Sequence, residues 1–131
     1  MASTTTSTIA ALGGKLVVNV SISGADNDVT HNATSATSGK IYMVEIDNPN
    51  SSACYIKIRD AASGTTPSTD TANGVGTPHM VLYCPANIKK VYSIPGGFAY
   101  AAGVSFWGTT SGAVGSVTSP TNNVIVKLVC S

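Results

Sequence analysis

The chain has 131 residues, seven Lys or Arg against six Asp or Glu, and a formal net charge of +1, so only 10% of its residues are charged. That length fits one domain able to bury about two-thirds of its unfolded surface. The charge excludes an electrostatic nucleic-acid binder, since no basic cluster exceeds Lys89-Lys90, and no apolar run reaches membrane-spanning length.

Residues 1–13 read as an extended, Thr-rich arm ahead of a single domain, 14–131. The arm has neither the basic start nor the long apolar stretch of a secretory signal, which predicts synthesis in a cytoplasm. It lacks charged residues, has high β-propensity and spans up to about 35 Å when extended. Thr4, Thr5, Thr6, Ile9 and Leu12 are therefore its candidate partner-contact residues.

From Lys15 onward, apolar residues alternate with polar ones at period two, the pattern of strands with one buried face. In the first such segment Leu16, Val18, Val20 and Ile22 share one side. A short strand is expected at Val29–Thr34. Lys40–Asp47 follows, with Tyr42, Val44 and Ile46 on one face, and then Ala53–Asp60, with Cys54, Ile56 and Ile58 on one face. The spacing of these two predicts an antiparallel hairpin in which Glu45 pairs with Lys57 on a solvated face.

Residues 61–77 contain almost nothing large and apolar and read as a long exposed loop. Strands are expected again at Pro78–Cys84, with Met80 and Leu82 inward, and at Ile88–Ile94. Pro95-Gly96-Gly97 marks a corner before Phe98–Trp107, which Gly103 bends. A second polar loop, 108–123, leads to the final strand, in which Val124, Val126, Leu128 and Cys130 face one side. The fold class is all-β, a two-sheet antiparallel β-sandwich of about seven or eight strands, of jelly-roll or immunoglobulin-like topology.

Chemistry-bearing constellations are sparse. Cys54, Cys84 and Cys130 are odd in number and lack CxxC spacing, which favours buried thiols over a disulfide framework or zinc site. A nucleophile–histidine arrangement drawn from His31 or His79 with Cys54 or Cys84 has no local motif behind it. Asp26-x-Asp28 lacks the further ligands of a calcium loop, and no glycine pattern forms a phosphate loop. The sequons at Asn32 and Asn50 are those expected by chance in a Ser/Thr/Asn-rich chain. Tyr55, Tyr83, Tyr100 and Trp107 are candidates for a sugar-stacking platform, and Trp107, at a strand end beside Gly108, is the aromatic reserved for partner contact. No catalytic residue, cofactor or metal is expected.

Ile41-Tyr-Met-Val-Glu-Ile-Asp-Asn48, Ala53-Cys-Tyr-Ile-Lys-Ile-Arg-Asp60, Tyr92-Ser-Ile-Pro-Gly-Gly-Phe-Ala-Tyr100, Gly103-Val-Ser-Phe106 and Pro120-Thr-Asn-Asn-Val-Ile-Val-Lys-Leu128 follow in order. As an ordered set they resemble the small β-sandwich decoration, or cement, proteins on the capsids of tailed bacteriophages, cyanophages included. The resemblance covers residues 40–131. It implies a structural virion protein without catalytic activity, a homotrimer seated on the capsid exterior and bound to the major capsid protein. A rival reading is a receptor- or glycan-binding module of a phage tail or fibre that uses the loops 61–77 and 108–123.

Overall fold

The computed structural model describes residues 4–9, 14–22, 38–60, 77–116, 118 and 120–131, with side chains from residue 38 onward, Ser105 excepted. These residues are all-β: β1 (Thr4–Ile9), β2 (Gly14–Ile22), β3 (Gly39–Asn48), β4 (Cys54–Asp60), β5 (Met80–Cys84), β6 (Ile88–Tyr100), β7 (Val104–Thr109) and β8 (Val124–Cys130). Every pairing is antiparallel. Strands β8-β3-β6 form one layer, which β2 and then β1 extend to five strands; β5-β4-β7 form the other. The expected strand at 29–34, most of the loop 61–77, and Leu12, His31, Asn32 and the Asp26-x-Asp28 pair lie outside the described residues.

The core lies between the layers. Ile41, Val44 and Ile46 from β3, Cys54, Ile56 and Ile58 from β4, Phe106 from β7 and Val124, Val126, Leu128 and Cys130 from β8 are fully buried there. The inward sets of β4 and β8 follow the expected alternation. In β3 the register shifts between Ile41 and Met43. The shift puts Ile41 in the core and leaves Tyr42, expected inside, 42% exposed. In β2 the register sets Val17 opposite Leu128, Leu16 opposite Val129 and Ile22 opposite Val124, with a shift between Asn19 and Ile22.

Two expected local arrangements are corrected. The segments at β3 and β4 are not a hairpin: β3 pairs with β6 and β8, whereas β4 lies in the other layer between β5 and β7. A loop of five residues suits either a hairpin or an arch between layers, and here the buried Asn48 amide selects the arch by donating to the carbonyls of Ser52, Cys84 and Pro85. The second correction concerns Pro95-Gly96-Gly97, which turns no corner. Gly96 and Gly97 take φ of 78° and 79°, and the chain bulges out and returns to the same strand, so that Met43 pairs with Ser93 and Ile41 with Phe98. The real turn is Ala101–Gly103.

The pairs β2·β8, β3·β6 and β4·β5 are nested, each enclosing the next along the chain. This nesting is that of a jelly roll. An immunoglobulin sandwich instead builds its sheets in the order ABED over CFG.

Candidate contact surfaces

The two rims of the large layer differ in what they offer another chain. At one rim β6 carries Lys89 and Lys90 and is interrupted by the bulge at Pro95-Gly96-Gly97. Edge lysines, proline and bulges all discourage strand addition. At the other rim lies β1, Thr4–Ile9, paired on one side only among the described residues. Its sequence, TTTSTI, contains no charge and no proline. Thr4, Thr5, Thr6 and Ile9 sit opposite Asn19, Val18, Val17 and Gly14 of β2. Among the described residues nothing pairs with the outer side of this strand, and its sequence carries none of the usual guards.

Trp107 does not reach a surface. It is 3% exposed and lies on the opposite side of β7 from the core residue Phe106. Opposite it in register stands Lys57, which is fully buried. The Lys57 ammonium donates to the carbonyls of Ala113 at 2.6 Å and Ser116 at 2.9 Å. Both belong to the β7–β8 connection, which folds back over the outer side of the small layer. Gly112 seats against the Tyr55 ring there, where a Cβ would meet Cε1 at 2.9 Å. Burial lowers the Lys57 pKa from its ordinary value. The expected Glu45–Lys57 ion pair is therefore absent: Glu45 faces Lys127 at 3.6 Å and Lys89 at 3.8 Å on the other layer.

The aromatic candidates do not form one platform. Tyr55 and Tyr83 are neighbours across β4 and β5, with centroids 5.4 Å apart, but Tyr100 and Trp107 are buried. Lys90 lies over the rings of Tyr83 and Tyr92, at 5.6 and 5.0 Å from their centroids, and the Tyr92 hydroxyl donates to the Tyr83 carbonyl. These contacts seal the seam between β5 and β6.

At the end of the sandwich where β3 passes to β4, Asn48, Asn50 and Asn122 tie three loops together. The Asn50 amide donates to Asn48 Oδ1 and the Asn122 carbonyl, while its own oxygen accepts from the Asn122 backbone N–H. With its amide committed and only 5% exposed, Asn50 is closed to glycan attachment. Beside this network opens a cleft of about 120 Å³ lined by Ser51, Ser52, Thr110, Thr121 and Asn122 among others. Its walls offer hydroxyls and amides and no titratable side chain, so it can hold a small neutral polar group but supplies no acid, base or activated nucleophile.

The titratable groups elsewhere are kept apart. His79 accepts the Asp60 backbone N–H through Nδ1 at 2.9 Å, placing it at the Asp60 end of β4. Cys54 and Cys84 lie at the other end, about 20 Å along the strand, so they form no nucleophile–histidine pair with His79. Burial pushes the thiols of Cys54 and Cys130 up to about 12 and raises that of Cys84, which keeps them protonated. Burial works to raise the Asp60 carboxyl as well. Bonds from the backbone N–H groups of Ala101, Ala102 and Gly103, with nearby His79, outweigh it and hold the group below its ordinary value. Asp60 thus fastens β4 to the turn between β6 and β7.

Among the described residues no three His, Cys, Asp or Glu side chains converge as a metal site, and no helix is long and apolar enough to cross a membrane. Sequence reasoning missed the buried roles of Lys57 and Asn48 and the half-buried one of Asp60. The one signal for Lys57 is the small-residue run Ser111-Gly-Ala-Val-Gly-Ser116, which lets backbone approach a sheet closely. No protein family, curated protein or solved structure matched this chain.

Proposed function

We propose that the chain is a capsid decoration, or cement, protein: a structural virion component that binds the outer surface of a phage head, holds the coat lattice together and performs no reaction. The observation that carries the reading is β1, an uncharged, proline-free strand at the rim of the large layer, paired on one side only among the described residues. The low charge of the whole chain supports it, because a surface with few charges repels neighbours weakly. The partner is the major capsid protein. A strand of the coat, or of a second copy, adds to β1 through backbone hydrogen bonds, which need no side-chain chemistry. A protein that bridges coat subunits stabilises the lattice states it can span over those it cannot. A trimer multiplies weak contacts by avidity.

The test is occupancy on purified, expanded heads, measured by gel densitometry for the native chain, a variant lacking residues 2–12 and Thr6→Lys. Both variants lose occupancy by at least tenfold if β1 is the contact. Native occupancy in both overturns the reading. A second reading, a glycan-binding module, is favoured by the neutral polar cleft beside Ser52 and Asn122. Binding to a glycan array that Ser52→Trp abolishes, with no binding to heads, selects it.

A further inference from the structure

Two of the three thiols stand directly opposite each other. Cys54 and Cys84 are register partners on β4 and β5, both fully buried on the inward face. Opposed residues of an antiparallel pair have Cα atoms about 4.5–5.5 Å apart, and both spacings fall in the range a disulfide spans. Their side chains share the inward face of the small layer, so the two sulfurs are neighbours across the strand pair. The Cys84 thiol also lies 3.5 Å from the Ile88 carbonyl and 3.8 Å from that of Ile46. Cys130 is elsewhere. Its register partner on β3 is Ile41, about 17 Å along that strand from Ile46. All three thiols are free in this structure.

We propose that Cys54 and Cys84 are a latent redox pair, which closes one cross-strand disulfide when the folded chain meets a peroxide. The sulfur of one cysteine attacks a peroxide oxygen; with hydrogen peroxide, that sulfur becomes a sulfenic acid and one water leaves. The neighbouring sulfur then displaces the hydroxyl, which departs with its proton as a second water. Two S–H bonds are lost and one S–S bond forms, and the peroxide is reduced by two electrons. A small oxidant is required because the pair is shut inside the sandwich. Protonation and burial make the reaction slow, so the chain folds with its thiols free and is stapled afterwards. The second step is fast because the partner sulfur is the directly opposed neighbour on the same face, which diverts the sulfenic acid from further oxidation.

Selectivity supplies the test. In an unfolded chain the three possible pairings follow loop-closure statistics over separations of 30, 46 and 76 residues, so Cys54–Cys84 forms in roughly half of the product. The full chain is treated with hydrogen peroxide, folded and in guanidinium chloride, and mapped by mass spectrometry of proteolytic peptides without reduction. The folded protein is expected to lose about 2 Da, to yield Cys54–Cys84 as essentially its only cross-link, and to keep Cys130 free. Three outcomes overturn the proposal: a pairing mixture like that of the unfolded chain, thiols that stay free at a dose that oxidises the unfolded chain fully, or oxygen addition without a cross-link. Cys130→Ala repeats the measurement without the third thiol; if it fails to fold, the native map still decides.

Discussion

Replacing Lys57 with methionine tests whether a buried ammonium holds the β7–β8 connection in place. The side chain is fully buried and, among the described residues, bonds to the carbonyls of Ala113 and Ser116. Each bond from a charged donor contributes about 1.5–3 kcal/mol. Against this stands the several kcal/mol cost of taking an ammonium out of water, which methionine of similar length relieves. The difference is a net loss of about 1–2 kcal/mol for Lys57→Met, with the lost order confined to residues 110–118. Lys57→Ala adds a cavity and costs about 3–4 kcal/mol.

The protein carries its own probe, since its single tryptophan, Trp107, is the register partner of Lys57. Urea titrations followed by its fluorescence give the stability, and a red-shifted native spectrum reports the lifted loop. The pH dependence provides an independent sign. Folding lowers the Lys57 pKa from 10.5, so as pH rises through the folded value and up to the unfolded one the unfolded chain binds more protons. The contribution of this group to stability therefore increases over that window. The stability gap between the native protein and Lys57→Met should widen from pH 8 to pH 11. A variant as stable as the native chain at pH 7 with an unshifted spectrum, or a gap that narrows with pH, refutes the role.

Asp60→Asn should cost about 1–2 kcal/mol at pH 7, because an amide cannot accept all three backbone N–H groups that the carboxylate holds. The folded carboxyl lies below its ordinary value, so its contribution is complete above about pH 5 and fades as pH falls through the folded pKa; acid titration of the variant should lack that part of the loss. Gly96→Ala and Gly97→Ala separate backbone strain from contact. Both glycines have positive φ, but a Cβ at Gly96 meets nothing within 4 Å, whereas at Gly97 it lies 2.8 Å from Lys40 Cβ. The first should cost about 1 kcal/mol and the second at least about twice that; equal shifts in urea midpoint would show that the contact is relieved freely.

How much of this was legible depends on whether the information is local. The inward face of β8 follows from four alternating residues, because both neighbours of that strand continue the same layer and nothing interrupts the period. The register of β3 was not legible, because its one-residue slip at Tyr42 is dictated by the excursion of β6 at Gly96 and Gly97, half the chain away. Pairing is a non-local property as well. A short loop between alternating segments suits a hairpin and an arch equally, and the choice rests on Asn48, whose partners at Cys84 and Pro85 are 36 and 37 residues distant.

The same reasoning explains why the contact residues proved hardest to read. Alternation assigns Tyr55, Lys57 and Arg59 to one side of β4, and the ordinary inference is that a lysine there faces water. It is buried because a later loop of small residues covers that side. That cover also takes Trp107 out of reach of any partner while leaving the rim at β1 as the chain wrote it. Adhesion through an edge strand needs only unpaired backbone and the absence of charge, properties that composition records without marking a position. Under the proposed reading the informative sequence signal is what is missing from a segment, and TTTSTI, at the rim of the large layer, is where that absence meets a strand side with no pairing among the described residues.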